Sequence, residues 1–349
     1  MNKVLIAMSG GVDSSVAAAL LLEQGYRVTG AFMKQWSETK ELSGVCSWKE
    51  DRRDALRVAA KLGIPLVTLD FEKEYNDRVV SYLFSEYEAG RTPNPDVMCN
   101  RYIKFGVWLD KARALGFDYL ATGHYAQMMQ KDGTYHLLKA KDEDKDQTYF
   151  LHQIAQEQLA HVLFPIGAYT KPDVRKLAHD FHLPTAEREE SMGICFIGEI
   201  PINQFLQQKI KPKPGNIILS GGAVVGEHQG LPFYTIGQRH VGVSGSEPLF
   251  VVAKNTQTNE LVVGSENDPL LYTRTSRVLD MHWIEGAPPA ASVNCEVRLR
   301  HRQPLQKATV QTDPQNTVVE YESPQRAVTP GQFVVCYMGN QCLGGGIIA

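Results

Sequence analysis

None of the six cysteines stands in a Cys-x-x-Cys pair, so a zinc knuckle or a thioredoxin-type motif is excluded. Long apolar runs are missing too. The "VAAALLL" stretch falls far below the ~20 residues of a membrane span, and "VLIAM" is too short for a secretory leader. There is no excess of basic charge: 36 Lys and Arg stand against 39 Asp and Glu, a formal net charge of −3. Any polyanion must therefore meet local patches rather than a global field. These absences predict a cytoplasmic protein without membrane contact, whose cysteines are mostly plain buried residues unless their neighbours mark them out. At 349 residues, two or three domains are expected.

What is present begins with "VLIAMSGGVDSSVAAALLLEQGY", residues 4–26. It reads as a strand, a phosphate-cradling loop and a helix, yet lacks the Gly-Lys-Ser/Thr ending of the common nucleoside triphosphate loop. Gly10 and Gly11 let backbone N–H groups approach an anion, and the helix behind adds partial positive charge. Ser9, Ser14 and Ser15 offer hydroxyls; Asp13 suits either magnesium or a helix cap. Further strands are expected over 27–32, 66–70 and 119–122, with helices over 14–23, 50–62, 75–88 and 104–114. Gly25, Gly63 and Gly116 mark helix ends, and Thr170 with Pro172 marks a later helix start. This is α/β doubly wound, with a parallel sheet covered on both faces. After "KIKPKPG" the texture becomes short alternating runs, at 216–219, 249–253, 260–263, 294–300, 307–311, 317–321 and 332–337. The predicted division is an N-terminal domain over 1–205, a small mixed or β middle domain over 206–273, and a C-terminal β-barrel over 274–349.

"SGGVDS" resembles the pyrophosphate loop of enzymes that split ATP into AMP and pyrophosphate, with an adenine nucleotide alpha hydrolase-like fold. Further stretches, "EYEAGRTPNPDVMCNRYIKF", "ATGHYA", "KDQTYFL", "SMGICFIGE", "GEHQGL", "TIGQR", "TPGQ" and the closing "CLGGGII", resemble the tRNA-specific 2-thiouridylase family from end to end. The resemblance implies ATP-dependent adenylation, with Mg2+, of the C2 oxygen of wobble uridine 34 in tRNA, followed by sulfur insertion to give 2-thiouridine, AMP and pyrophosphate. It implies ATP contacts at Ala7, Met8, Ser9, Gly10, Gly11, Val12, Asp13, Ser14, Met33 and Gly123. It places Asn94, Pro95 and Asp96 at the target base, Asp96 as an acid/base. Cys195 would carry a persulfide from a donor protein. Cys99 would either free sulfide from it or resolve it, leaving a Cys99–Cys195 disulfide. Contacts to tRNA are implied at His124, Lys145, Asp146, Gln147, Arg302, Gln303 and Gln332, on a protein expected to act as a monomer.

Read from the residues alone, Cys99 falls near a helix N-terminus, which favours thiolate. Asp96 is equally a turn side chain, and Cys195 equally a buried strand residue. Cys46, Cys295, Cys336 and Cys342 are expected to be structural. Basic patches stand at 298–302, at 209–213 and before Gln147. The competing readings are a small-molecule ligase such as argininosuccinate synthetase, which has no use for Cys99 and Cys195, and a silent RNA-binding or sulfur-carrier protein, which need not keep the loop. An iron–sulfur cluster on Asp96, Cys99 and Cys195 is chemically open but lacks cluster spacing.

Overall fold

A computed structural model describes residues 1–34, 47–189, 200–243, 247–313 and 316–349. Cys46, Cys195 and the motif at 191–199 lie outside the described residues. The N-terminal sheet is built from β1 (Lys3–Ala7), β2 (Arg27–Lys34), β3 (Leu66–Asp70) and β4 (Tyr119–Ala121). A hairpin follows, β5 (Gln127–Lys131) and β6 (Thr134–Leu138), then the short β7 (Val162–Leu163). The sheet order is β3-β2-β1-β4-β7, every pairing parallel. Val4, Leu5 and Ile6 of the central strand are fully buried, because helices cover both faces. The helix Val12–Glu23 follows β1 and is apolar around most of its circumference, with nine of its twelve residues buried. Gly25 ends it in the left-handed region, with the Gly25 N–H on Leu22 O and the Tyr26 N–H on Leu21 O. Gly63 and Gly116 adopt the same conformation after the next helices.

Three expected helices differ in extent, the one expected over 50–62 beginning at Ser47. The one expected over 75–88 begins at Glu72 and contains a wide, π-helical stretch at Asn76–Val80. The one expected over 104–114 begins at Pro95, because the Asn94 side chain caps it by accepting the Val97 N–H. A second π-helical stretch, Cys99–Trp108, lies in this run and is kinked at Gly106; such stretches recur at functional sites. The helix Lys171–Asp180 starts as its sequence indicates, with Thr170 and Asp173 forming a reciprocal cap.

The middle sheet holds β8 (Gly215–Leu219), β9 (Val224–His228), β10 (Phe250–Asn255) and β11 (Glu260–Gly264) in the order β10-β11-β8-β9. Six strands then form the C-terminal barrel: β12 (Tyr272–Trp283), β13 (Ser292–Arg298), β14 (Gln306–Gln311), β15 (Thr317–Arg326), β16 (Phe333–Met338) and β17 (Gln341–Ile348). They run β12-β15-β14-β13-β16-β17, and a β12–β17 pairing closes the ring. The β5/β6 hairpin joins this sheet by pairing β6 with β17, so a piece of the N-terminal region extends the barrel. A buried ion pair pins the joint: Arg298 Nη1 lies 2.8 Å from Asp146 Oδ2, with Asp146 fully covered.

Candidate functional site

The site begins at the carboxyl ends of β1 and β4, adjacent strands whose edge is the crevice where open α/β sheets take ligands. Between β1 and its helix, Gly10 adopts φ +81°, and a side chain there would collide with the Asp51 carbonyl. Gly11 is the helix N-cap and has no side chain to cap with. The hydroxyls of Ser14 and Ser15 turn back onto the Gly11 carbonyl at 3.1 and 2.8 Å, and Ser9 Oγ lies 3.3 Å from Ser14 Oγ. The hydroxyls thus brace the loop on the Gly11 carbonyl, and the first N–H groups of the helix have no intrahelical partner, the arrangement that binds phosphate.

Three residues that the sequence reading missed complete this end. Lys171 Nζ donates to Asp13 Oδ1 at 2.7 Å, and the Tyr125 hydroxyl donates to the same oxygen at 3.0 Å. Arg188 Nη1 donates to the Gly10 carbonyl at 2.7 Å and to Asp54 Oδ2 at 2.9 Å, with Nη2 on Asp51. The loop that lacks its own lysine is therefore flanked by two cations from more than 150 residues further along. Lys171 did leave a signal. A lysine in the first turn of a helix opposes the helix dipole, and this one is only 9% exposed. Arg188 is hidden in a run of charges.

Gly123 sits where any Cβ would meet the backbone of Asp13 and Ser14 at 2.7–3.0 Å, so its place is a close strand-to-helix contact. Met8 and Met33 are buried, Met8 against Gly30 and Met33 near the end of β2. Ala7 ends β1, and Val12 opens the helix. His124 is buried between the rings of Phe105 and Phe164, with Nδ1 2.8 Å from the Thr122 hydroxyl. Burial and the nearby Lys104 hold it neutral, well below the usual histidine range. Gln147 braces the neighbouring strand end, its side-chain oxygen accepting the Tyr125 N–H at 2.9 Å.

Cys99 lies on the wide helical stretch and is fully buried. Here the thiolate expectation fails. Burial pushes the thiol up, the Asp96 charge adds to this, and the opposing pull of Lys104 does not offset it. The helix start is four residues away, and its field is spent within the first turn. The Asn94-Pro95-Asp96 turn opens the same helix, its Asn94 oxygen engaged as the cap. Lys104 acts on both Cys99 and His124, so the thiol and the β4 end share one neighbourhood.

The remaining residues implied for tRNA are spread along the domain joint. Asp146 is buried, accepting from Ala140 N, the Thr148 hydroxyl and Arg298. Lys145 is half-buried at a turn closed on Asp142. Arg302 is exposed at the barrel surface with φ +64°, and the Gln303 oxygen accepts the Leu299 N–H. Gln332 reaches across to the loop before Asn94. Cys336 and Cys342 are buried in and beside the barrel core, and Cys295 is half-buried against it. Among the described residues no cluster of His, Cys, Asp and Glu could hold a metal, and no helix is long and apolar enough to cross a membrane.

Family comparisons cover almost the whole chain. A model described as the tRNA methyl transferase HUP domain matches residues 2–199. Its PRC-barrel counterpart matches 203–265, and an aminomethyltransferase beta-barrel domain matches 273–348. The tRNA-specific 2-thiouridylase MnmA of Alkaliphilus oremlandii is 51% identical over 99% of this chain and 97% of its own length. The protein of that name from Streptococcus sanguinis is 49% identical over 99% and 95%. A crystal structure of a 4-thiouridine synthetase–RNA complex with bound ATP aligns over 59% of this chain and 50% of that one, at 17% identity and a TM-score of 0.37, too loose to bear on function.

Proposed function

The chain belongs to the tRNA-specific 2-thiouridylase family, and we propose that it thiolates C2 of uridine 34 in tRNA at the expense of ATP. The uridine C2 carbonyl is a weak electrophile with a poor leaving group. Its oxygen attacks the α-phosphorus of ATP; an O–P bond forms, the Pα–O–Pβ bond breaks, and pyrophosphate departs with the electron pair. The base now carries AMP on C2. Sulfur adds at C2, the C2–O bond breaks, and AMP leaves.

The observation that carries this reading is the loop at Ser9–Ser14 with Lys171 on Asp13, a lysine-free cradle supplied with cations from outside. Gly10, Gly11, Val12 and Ser14 offer backbone N–H groups to the phosphates, braced by the Ser14 hydroxyl; Ala7, Met8, Met33 and Gly123 line the adenosine side. Asp13 fits a magnesium ion, since Oδ1 takes both Lys171 and Tyr125 and leaves Oδ2 as the hard oxygen such an ion prefers. When bound, the ion neutralises phosphate charge. Asn94, Pro95 and Asp96 hold the base, with Asp96 moving its proton.

Cys195 brings the sulfur as a persulfide loaded by a donor protein. Either its terminal sulfur attacks C2 and Cys99 then displaces the product from Cys195, or Cys99 first releases sulfide that attacks. Both routes end in a Cys99–Cys195 disulfide that a two-electron reductant must reopen. His124, Lys145, Gln147, Arg302 and Gln303 serve the RNA side, while Asp146 and Gln332 hold the domain joint behind them. The protein acts as a cytoplasmic monomer.

The test is incubation with undermodified tRNA, ATP, magnesium and a persulfide donor. 2-Thiouridine by nucleoside mass analysis, with matched AMP, is expected; ADP and phosphate, or an unmodified base, would overturn the proposal. Cys195→Ser should take no labelled sulfur, whereas Cys99→Ser should take it up without turning over.

A further inference from the structure

All three domains meet on residues 90–94, the stretch that leads into the Asn94-Pro95-Asp96 turn. From the middle domain, Lys254 on β10 donates its ammonium to the Gly90 carbonyl at 2.9 Å, and the Thr235 hydroxyl lies 3.3 Å from that of Thr92. From the barrel, the Pro330 carbonyl accepts the Thr92 N–H at 2.9 Å. Gln332 Nε2 donates to the Thr92 carbonyl at 2.9 Å and to the Pro93 carbonyl at 3.2 Å. Gly331, at φ +90°, passes so close to Thr92 that a Cβ would stand 3.0 Å from its backbone.

The accounting of polar groups decides what these contacts are for. Both backbone groups of Thr92 are taken by the barrel, and both N–H groups of the Gln332 carboxamide go to loop carbonyls. That amide has no donor left for RNA. Lys254 is largely buried, and burial lowers its pKa to about 8. It sits at the carbonyl end of the helix Ser81–Glu88, where a cation complements the dipole. A surface meant only to dock RNA would point its lysine and amide outward; here both point at the chain that shapes the target-base turn.

We propose that Gln332 and Lys254 are positioning residues of the thiolation site, through which the two β-domains hold residues 90–94, and so the Asn94-Pro95-Asp96 turn, in the shape in which the target uridine reacts. This rests on the thiouridylase reading and adds to it. The barrel acts on the chemical step and is more than an RNA platform.

The experiment uses the full-length enzyme in single turnover with saturating undermodified tRNA, ATP and a persulfide donor, alongside separate tRNA and ATP titrations. Gln332→Met keeps the volume and loses the donors. Its thiolation rate should fall about 10–100-fold, the cost of displacing a reacting group by about 1 Å, while both affinities stay at the wild-type values. Lys254→Met should lose rate in the same way, and Lys254→Gln, which keeps a donor, should recover most of it. A wild-type rate at saturation in Gln332→Met, with weakened tRNA binding, would make Gln332 an RNA contact and overturn the proposal. So would a loss of ATP affinity in step with the rate, or equal rates in the two Lys254 variants. Absence of 2-thiouridine with the wild-type enzyme would instead remove the thiouridylase reading, before any variant is compared.

Discussion

Asp146→Asn separates an RNA contact from a structural joint. The Asp146 carboxylate is fully covered and Arg298 is 10% exposed, so neither charge has solvent to fall back on. Asparagine keeps an oxygen for the Ala140 and Thr148 donors but removes the counter-charge from a buried guanidinium. Breaking one side of such a pair costs about 3–5 kcal/mol, or about two to three and a half powers of ten in the unfolding equilibrium. Urea unfolding followed by fluorescence and circular dichroism measures it. Arg298→Met alone should cost less than the full amount, because the Asp146 oxygens retain three other donors in Ala140 N, Thr148 N and the Thr148 hydroxyl. The double variant Asp146→Asn with Arg298→Met should recover most of the asparagine loss, because no buried charge is left unpaired and the amide oxygen still serves Ala140 and Thr148. The cost should change little with salt, since buried pairs are poorly screened. An Asp146→Asn protein within about 0.5 kcal/mol of wild type, the range of an ordinary surface substitution, and weaker only in tRNA binding would refute the reasoning.

Three other outcomes follow from the same contacts. Lys171→Ala, which removes the cation from Asp13, should lower ATP affinity and AMP release about 10–100-fold, the worth of a hydrogen bond to a charged group, with tRNA affinity untouched; an ATP titration decides. His152 is held neutral by burial, at a pKa of about 3 against an ordinary 6.5. Its stabilising contribution is present above pH 6.5 and is lost as pH falls toward 3, at up to about 1.4 kcal/mol per pH unit. His152→Gln should flatten that acid slope, and an unchanged slope would contradict it. Arg302→Ala, at the exposed barrel surface, should weaken tRNA binding and reduce the salt slope by about one; an unaltered slope would remove Arg302 from the interface.

Sequence reading succeeded where local chemistry decides. The first four strands of the parallel sheet are mostly apolar runs, although β3 lies at its edge, and the cap at Thr170 is written in its own neighbours. It failed where tertiary partners decide. The β5/β6 hairpin has an Asp132-Gly133 turn, a strong hairpin signal, but its polar strands show no alternation because one side rests on the barrel edge. The strand β17 contains Gly344-Gly345-Gly346, which reads as a loop. Those glycines are needed because β12 and β16 press on both sides: a Cβ at Gly344 would lie 2.0 Å from the His282 carbonyl, and one at Gly345 2.3 Å from that of Val334. Tyr125, Lys171 and Arg188 reach the phosphate loop only through the fold, so no spacing announces them.

The motif around Cys99 was legible while its charge state was not, and the difference bears on the order of events. Lys104 and a hydrogen bond from Tyr75 both favour thiolate, yet complete burial dominates and the thiol keeps its proton in the structure. Adenylation of the base needs no thiol, so it is able to run while Cys99 is protonated and shielded from stray oxidants. The ionised Asp96 carboxylate is one of the groups that hold the Cys99 pKa up. Once Asp96 takes up a proton in its proposed acid/base role, that repulsion disappears and the thiolate becomes easier to form. Proton uptake at Asp96 and ionisation of Cys99 thus favour each other, which ties the sulfur step to a base already in place.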